Sequence, residues 1–511
     1  MPYLNELRSQ APLVQRGGLS RVTLPLWGSW RGLPKKPILY LSLACIAFLV
    51  ITCRKDEQGS DYKGYPLEVG KIILTKCAIA GCHTDKSKEA SNGLSLESWS
   101  SLFNGSRYGN TAVIPYRSDI SFLSYFINTY SDLGISIPPA MPPGKDPLTR
   151  EEVITVRDWI NLGAPARNGL IPFSDMAHRR RMFVVNQGCD NVFIIDAATG
   201  LIMRSVDIGV SPSIESPHFI EISPDEEYFY TCFFAGSVFQ KFNINDGTLA
   251  GEANIGSGQW SVFEITPDGK RAFVVDWSAN GSIAVMDLET MTLLVKWQGN
   301  GLLQYPHGTG MKGNNLYVTS QPGNFFYKID FTDIYNPNIS QIPLQANANS
   351  HEIHFSQDGS EYAVSCVGLN EIWFFNASND ALIAKVATGK GPEEPHYAGD
   401  TLFVTCPNDD VTFPGKIGAV SIINGKTHTL IKNIYTGWEP HGIVPDVQGR
   451  KVWILHRNIA GGGPPPHHSS SCSGRNGYMT AIDLNTLDLI PNLKPELSVD
   501  PYFGAIVGHH H

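Results

Sequence analysis

Two cysteines and a histidine stand close together near residue 80 and could attach a prosthetic group. Four residues separate Cys77 from Cys82, and His83 follows the second cysteine directly. Cysteine thiols can add to the vinyl groups of a haem, and the adjacent histidine then becomes an axial ligand of the iron. The usual spacing has two residues between the cysteines. The segment therefore predicts a covalent haem c site of unusual spacing.

Two other sites would use the same cysteine pair. A disulfide between Cys77 and Cys82 is one, but it gives no role to His83. A zinc site is the other, but structural zinc takes four nitrogen or sulfur ligands, and no second Cys-x-x-Cys pair lies nearby. Both remain open from the sequence alone, and haem c is the favoured interpretation.

A methionine between prolines offers a second ligand for a haem iron. Met141 lies in the run Pro139–Gly144, a loop suited to holding a thioether rigidly. His83 is the only histidine before residue 178, which disfavours a second histidine ligand. Methionine and histidine together raise the reduction potential of a haem. We therefore predict His83 and Met141 as the iron ligands.

Helices are predicted on both sides of this loop. Apolar residues at positions 67, 69, 72, 73 and 74 indicate a helix that leads into Cys77. A later helix begins after Thr149, which can cap it, and Glu152 completes a capping box. That helix is expected to end near Gly163. We place this helical domain at residues 62–170.

The order of these parts resembles a class of bacterial cytochrome c domains. The shared parts are the haem helix, a central helix at Ser121–Leu123, the Met-Pro-Pro loop and a final helix ending at Trp159–Ala164. The wider Cys-x4-Cys-His spacing departs from the main pattern but occurs in that family, and it implies a bulge between the thioethers. The resemblance implies one haem c and electron transfer with a redox partner.

The C-terminal two-thirds of the chain repeats a four-strand unit. The second strand of each unit is aromatic, and these strands recur roughly every 42–47 residues until the last unit, often after turns such as Ser223–Glu226. Periods of this length are typical of propeller blades. We therefore predict an all-β propeller of seven blades over residues 178–511, and the units resemble YVTN-type repeats. The seven second strands are at 183–186, 229–232, 273–276, 317–320, 362–365, 403–406 and 452–455.

The first repeat lacks an inner strand. Residues 500–506 match the inner strand of the next repeat and are expected to close the ring, which removes an exposed sheet edge. Cys189 and Cys472 fall in loops of the first and last repeats, which are neighbours in a closed ring, so these two cysteines could pair. The fold class is therefore a small all-α cytochrome c domain followed by an all-β propeller.

Histidines recur at the start of the predicted inner strands. Equivalent positions on successive blades surround the axis, so we expect these side chains to converge at one mouth of the channel. Neutral imidazoles at this density suit copper, zinc or iron. Trp260 and Tyr502 take the position on the two remaining blades. The five histidines are His218, His307, His351, His396 and His441.

This ring resembles the copper-binding ring of nitrous oxide reductase-like and thiocyanate dehydrogenase-like propellers, which implies copper as a second cofactor and an oxidoreductase. An alternative is a mouth without metal, where the propeller is a binding scaffold for a partner or small molecule in a non-enzymatic electron-transfer protein. A cytochrome cd1-like reductase is a third hypothesis, but its propeller has eight blades and carries haem d1.

The N-terminus predicts export. Basic residues precede a 14-residue apolar stretch, Ile38–Ile51, which is shorter than the ~20 residues of a membrane-spanning helix. Val50–Cys53 resembles a relaxed bacterial lipobox, with Thr52 as a departure, and predicts lipidation of Cys53. A plain signal peptide or N-terminal anchor is the alternative. Residues 1–53 form this segment, with no role assigned to 1–30, and 54–61 form a linker.

Composition limits the classes of partner. Charged residues make up 17% and apolar residues 42% of the chain, which is typical of folded globular proteins. The net charge is −9 and the sequence has no run of Lys and Arg, which disfavours nucleic acid as a partner. We expect a periplasmic or cell-surface protein, anchored to a membrane by lipid, that meets a redox partner protein or a small-molecule substrate.

Overall fold

The computed structural model describes residues 62–321, 323–466, 472 and 474–508. The predicted export segment, the linker and the lipidation site Cys53 lie outside the described residues. So do His467, His468 and the three terminal histidines, to which no role is assigned.

The first helix carries the cysteine motif. Helix α1 (Leu67–Ile72) continues into a π-helical turn at Ile73–Cys77, where the N–H of Ala78 donates to the carbonyl of Ile73 at 2.8 Å. Such turns insert one extra residue and are frequent at functional sites. Among the described residues no helix is long and apolar enough to cross a membrane. The other helices are α2 (Trp99–Leu102), α3 (Phe122–Ile127) and α4 (Arg150–Asn161), with 3₁₀ turns at Lys88–Ser91, Ser131–Leu133, Met176–His178 and Val367–Leu369.

The predicted capping box of α4 is present. Glu152 N–H donates to Thr149 Oγ1 at 3.3 Å, and Thr149 N–H donates to Glu152 Oε2 at 2.7 Å. The same carboxylate forms an ion pair with Lys76 Nζ at 2.5 Å. The start of α4 is therefore tied to the residue that precedes Cys77. The helix ends at Asn161, and Gly163 with a φ of 93° reverses the chain.

Replacing Thr149 by alanine is expected to destabilise the helical segment by about 1 kcal/mol, because the N-terminal amides of α4 lose their cap. Chemical unfolding followed by tryptophan fluorescence measures this loss. Thr155→Ala is the control, since the Thr155 hydroxyl donates only to the exposed carbonyl of Glu151. If both substitutions lowered the free energy of unfolding equally, the loss would not come from the helix cap.

Seven four-stranded antiparallel sheets form the remainder of the structure, which confirms the predicted seven-bladed propeller. Blade 1 combines β1 (Arg181–Asn186), β2 (Asn191–Asp196) and β3 (Ile202–Asp207) with the last strand, β28 (Pro501–Ile506). The strands of blades 2 to 7 are β4–β7 (Pro217–Ile222, Tyr228–Phe233, Val238–Asn243, Leu249–Asn254), β8–β11 (Trp260–Ile265, Arg271–Asp276, Ser282–Asp287, Thr292–Trp297), β12–β15 (Pro306–Lys312, Asn315–Ser320, Phe325–Asp330, Asn338–Pro343), β16–β19 (Ser350–Phe355, Glu361–Cys366, Glu371–Asn376, Leu382–Ala387), β20–β23 (Pro395–Ala398, Thr401–Cys406, Ala419–Asn424, Thr429–Ile434) and β24–β27 (Pro440–Asp446, Lys451–His456, Asn476–Asp483, Glu496–Val499).

The ring closes through β28 as the sequence predicted. This strand pairs with β1, with Gly504 opposite Val184, and lies between the inner strands β24 and β4 of the two adjacent blades. A separate apolar cluster fills each of the seven interfaces between blades; Phe183 of blade 1, for example, packs against Phe229 of blade 2 with ring centroids 5.2 Å apart. Burial of each such side chain contributes roughly 1.5–3 kcal/mol.

A disulfide joins the first and last blades. Cys189 and Cys472 are bonded, with their Cα atoms 5.3 Å apart, so the two loops that the sequence placed side by side are linked. Gly188, next to this bridge, donates its N–H to the carbonyl of Val499 at 3.1 Å. The disulfide therefore fastens the ring close to the chain entering β28.

One loop docks the helical segment onto the propeller. Ile202 N–H on blade 1 donates to Thr111 Oγ1 at 2.8 Å, and Glu496 N–H on blade 7 donates to Asn110 Oδ1 at 2.7 Å. Lys494 N–H also donates to the carbonyl of Tyr108 at 3.0 Å. Buried backbone groups at the propeller surface are thus satisfied by the helical segment, and both belong to one compact unit.

Candidate functional site

All four residues predicted to hold a haem line one cavity of about 510 Å³ in the helical segment. Cys77, Cys82 and His83 form one side, and Met141 reaches the cavity from the proline loop. Most of the other walls are apolar, and they include Leu94, Leu96, Leu123, Phe122, Phe126 and Ile127. Residues distant in the sequence therefore meet around one largely apolar space.

The chain between the two cysteines forms a compact loop. Cys82 N–H donates to the carbonyl of Ile79 at 3.0 Å, and His83 N–H donates to that of Cys77 at 3.3 Å. Gly81 lies in the left-handed region with a φ of 85°, which favours glycine. This loop holds the extra residues of the wider spacing while both sulfurs stay on the cavity wall.

The orientation of His83 is fixed by its second ring nitrogen. Nδ1–H donates to the carbonyl of Leu94 at 3.1 Å, because a carbonyl can only accept. The lone pair is then on Nε2, the nitrogen left to bind a metal. Burial lowers the pKa of His83, which keeps the imidazole neutral. A neutral, oriented imidazole is the form that ligates iron.

The surroundings of Cys77 suit an uncharged sulfur. Burial raises the pKa of its thiol to about 12, so a free thiolate is disfavoured there. A haem thioether carries no charge and suits the same surroundings. Cys77 and Cys82 are free thiols in the structure, not a disulfide. The donor set and the apolar walls therefore fit haem c.

The methionine loop is held against α3. Met141 N–H donates to the carbonyl of Phe126 at 2.8 Å. This hydrogen bond anchors the loop at Met141, whose thioether is the predicted iron ligand. Phe122 and Phe126 of the same helix line the cavity beside it. The structure thus brings Met141 to the cavity that holds His83, although 58 residues separate them (141 − 83).

A second group of polar residues surrounds the propeller axis. Six of the seven inner strands carry a bulge near their start, and the residue that follows the first residue of the strand lies at an equivalent position in these six blades. In the blade of β20, hydrogen bonds to Thr405 identify the equivalent residue. We call these residues the mouth ring. Its members are His218, Ser261, His307, His351, Glu393, His441 and Tyr502.

The prediction for His396 was wrong. This residue pairs with Phe403, deeper in the channel, and its ring lies 4.6 Å from that of His354 on the adjacent blade. Glu393 takes the mouth-ring position, and its N–H donates to the carbonyl of Thr405 at 2.8 Å. Two prolines three residues apart occur here, and the sequence pattern was matched at the second, whereas the backbone hydrogen bonds of Glu393 and Glu394 with Thr405 place the first at the mouth.

The third blade needs a smaller correction. Ser261, not Trp260, has the mouth-ring position, because Trp260 pairs with Asp276 at the start of the bulge. The Trp260 indole N–H donates to the carbonyl of Gly256 at 2.8 Å, and the side chain is fully buried. Its role is therefore in packing between blades.

Four histidines of the mouth ring do converge, as predicted. The rings of His307 and His351 lie 4.2 Å apart. Those of His218 and His441 lie 4.1 and 3.9 Å from the ring of Tyr502, which stands between them. All four imidazoles are buried, and burial lowers the pKa of each, so they are neutral near pH 7.

Three carboxyl groups accompany these histidines, and the sequence did not indicate them; Glu352 and Glu394 are buried and Glu393 is half-buried. Glu352 Oε1 lies 3.0 Å from His307 Nδ1, and Glu394 Oε1 lies 3.8 Å from His351 Nδ1. Burial raises the pKa of Glu352 and of Glu394, and raises that of Glu393 to about 6. The runs Ser-His-Glu and Pro-Glu-Glu were the available signal.

A second cavity of about 420 Å³ continues along the channel. Glu352 and Glu394 line it together with Glu221, Glu264 and His396. Burial raises the pKa of Glu264 to about 7 and shifts that of Glu221 upward as well. The channel interior thus has a row of carboxyl groups below the histidines, and these groups bind protons more readily than exposed ones.

The fold defines a seven-bladed β-propeller with a small helical segment attached to it. No protein-family profile and no curated protein sequence matches the chain. Among solved structures, the periplasmic gluconolactonase of Pseudomonas aeruginosa is similar over 64% of this chain and 99% of its own, at 14% identity and a TM-score of 0.52. A protein described as a 6-phosphogluconolactonase from Bacteroides uniformis covers the same shares at 14% identity and a TM-score of 0.50.

Hydrazine synthase of Kuenenia stuttgartiensis is also similar, over 54% of this chain and 79% of that chain, at 17% identity and a TM-score of 0.42. At these identities the similarity to the two lactonase structures concerns the propeller fold alone, because one fold hosts many unrelated activities. Function must therefore be argued from the two sites.

Proposed function

We propose that this protein is an exported c-type cytochrome that transfers electrons to or from its propeller domain or a partner docked there. The observation that carries the proposal is the meeting of Cys77, Cys82, His83 and Met141 around one largely apolar cavity. Two thiols, a neutral imidazole and a thioether are the groups that haem c attachment and ligation require.

Each residue has a distinct role in this proposal. Cys77 and Cys82 anchor the group as thioethers, and His83 presents Nε2 to the iron while Leu94 fixes its other nitrogen. Met141 would supply a second ligand to the iron. The bound haem would supply reversible one-electron chemistry. Thioether ligation and apolar walls favour the reduced state and so raise its potential.

The docking loop supports electron exchange with the propeller. Asn110 and Thr111 line the haem cavity, and the same two side chains accept hydrogen bonds from blades 7 and 1. This loop therefore lies between the cavity and the propeller and contacts both. A partner protein or small-molecule substrate bound at the propeller would be held at a fixed position relative to the haem.

The proposed location is the periplasm or the cell surface, with lipid at Cys53. Support comes from the disulfide between Cys189 and Cys472, since disulfides persist in oxidising compartments. Export also agrees with the haem proposal, because haem is attached to c-type cytochromes after translocation.

There are three hypotheses for the role of the propeller. Copper on a histidine ring is one version, and it would make the protein an oxidoreductase. A scaffold without metal is the alternative. A cytochrome cd1-like reductase is disfavoured, because the propeller has seven blades, not eight.

Changing Cys77 and Cys82 together to serine is expected to abolish covalent haem. The protein should be produced with a cytochrome c maturation system in an exporting host, and haem measured by its pyridine haemochrome spectrum and by haem staining after denaturation. Cys232→Ala is the control, because Cys232 is a buried free thiol on blade 2, outside the cavity. Absence of haem from the unaltered protein would overturn the proposal.

A further inference from the structure

We propose that the propeller mouth binds one divalent metal ion of the zinc or iron(II) type, ligated by His307, His351 and Glu352, with His441 and Glu394 beside them. This inference deepens the proposed role of the propeller and needs no haem for its test. It differs from the copper ring expected from the sequence, because the ligands are mixed imidazole and carboxylate.

The spacing of the donor atoms fits one ion. One ligand atom from each of His307, His351 and Glu352 lies within 4.8 Å of the other two. Two ligands at about 2.1 Å from a zinc ion and at a tetrahedral angle are about 3.4 Å apart. His307 Nδ1 and Glu352 Oε1 are 3.0 Å apart, which is a hydrogen-bond distance, so an ion bound there would take the place of the shared proton and move the two atoms apart by about 0.4 Å.

Buried ring nitrogens without hydrogen-bond partners give the second observation. His441 Nδ1–H donates to the carbonyl of Tyr502 at 3.1 Å, which leaves a lone pair on Nε2. That Nε2 atom and Nδ1 of His351 are both buried without a hydrogen-bond partner. An unsatisfied buried polar group costs about 1–3 kcal/mol, so two of them pointing toward carboxylates are expected to have a ligand.

The nearest carboxylate oxygens are too far away to be that ligand. They lie 3.6 Å (Glu393) and 4.0 Å (Glu394) from His441 Nε2, and 3.8 Å (Glu394) from His351 Nδ1. Hydrogen bonds between these atoms would be about 2.7–3.2 Å long. Distances of 3.6–4.0 Å between a nitrogen and an oxygen are instead typical of two atoms that bind the same ion.

The charge balance favours a dication as well. Glu352 and Glu394 are buried and Glu393 is half-buried, and the neighbouring guanidinium of Arg457 is already paired with Asp500 at 2.7 and 2.9 Å. Ionised carboxylates in such a place are costly unless they are paired or coordinate a metal. One divalent ion would neutralise two of these carboxylates, and the neutral imidazoles would also bind to it.

The ligand chemistry selects the class of metal. Two histidines and one carboxylate are the set typical of mononuclear iron(II) sites with open positions, and they also suit zinc. His218 is outside this set, since Gln187 Nε2–H donates to its Nδ1 at 2.9 Å and Tyr502 stands between it and His441. A cluster of several coppers would need more imidazoles than the remaining three.

The test is metal content of the full-length matured protein. The protein is stripped with a chelator and dialysed against Zn²⁺, Cu²⁺ or, without oxygen, Fe²⁺, and metal is counted by inductively coupled plasma mass spectrometry. We expect one Zn²⁺ per chain, or one iron per chain in excess of the haem iron counted from the haem spectrum, and a higher thermal unfolding midpoint with metal than without. Glu352→Gln and His351→Gln should each weaken metal binding by at least about 10–100-fold, because even the loss of a residue that only hydrogen-bonds to a metal ligand has an effect of this size.

His428→Gln is the matched control, because His428 Nε2 pairs with Glu361 at 2.7 Å away from the channel. That variant should keep the metal and its stabilisation. No metal in the unaltered protein, two or more coppers per chain, or equal metal content in all variants would each overturn the proposal. Haem absorbance is read separately, so absence of haem with metal retained would contradict the cytochrome proposal and leave this one standing.

Discussion

Replacing Met141 by leucine is expected to lower the reduction potential of the bound haem by on the order of 0.1 V or more, within the ~0.8 V range that axial ligands control. Leucine keeps the size and apolar character of the side chain but has no sulfur, so the iron loses its thioether ligand. Covalent haem should be retained, because Cys77, Cys82 and His83 are unchanged. Spectroelectrochemical titration of the purified protein measures the potential.

Met176→Leu is the control for this change. Met176 is buried between the helical segment and the propeller, and it does not line the haem cavity. Its replacement should leave the potential and the visible spectrum unchanged. An unaltered potential and spectrum in Met141→Leu would show that another group, or none, occupies the sixth position of the iron.

The parts that the sequence predicted well depend on local patterns. The capping box of α4 needs only Thr149 and Glu152, three residues apart, and both hydrogen bonds are present. The blade count follows from the sequence repeat, because every blade needs apolar residues at the same positions to fill the interface with its neighbour. The closing strand was also predictable, because an open first blade would leave a sheet edge exposed.

The parts that the sequence could not supply depend on register. One extra residue in a bulge changes which side chain faces the axis, so a Pro-His pair alone did not distinguish His307, at the mouth, from His396, deeper in the channel. Glu352 follows His351 directly, and an alternating strand would point the two to opposite faces. The bulge brings both to the channel, and their partnership is visible only in three dimensions.

Docking between the two parts of the chain was equally hidden from the sequence. Asn110 and Thr111 lie in a loop without any repeat or motif, yet they accept backbone hydrogen bonds from two blades. The donors are backbone N–H groups, which every residue except proline carries. Pairing of this kind is specified by the shape of both surfaces, so a pattern of residue types does not predict it.

Removing residues 501–511 is expected to abolish the folded propeller. The truncation deletes β28 and with it Tyr502, Phe503 and Ile506, which are all buried. At roughly 1.5–3 kcal/mol for each side chain, the loss is about 5–9 kcal/mol, comparable to the whole ~5–15 kcal/mol stability of a typical protein. Blade 1 would also lose its innermost strand, and the edge of β1 would face the channel unpaired. Yield of soluble protein and thermal unfolding followed by circular dichroism measure the effect.

Removing only residues 509–511 is the matched truncation, since it leaves β28 intact and should unfold at the midpoint of the full chain. Phe503→Ala is the milder variant, for which we expect a loss of about 3–5 kcal/mol. Phe503 packs against Phe219 of blade 2 with ring centroids 4.2 Å apart, so its loss weakens the same junction without opening the sheet. If the long truncation unfolded at the same midpoint as the short one, the closing strand would not hold the ring together, and the disulfide between Cys189 and Cys472 would have to do so alone.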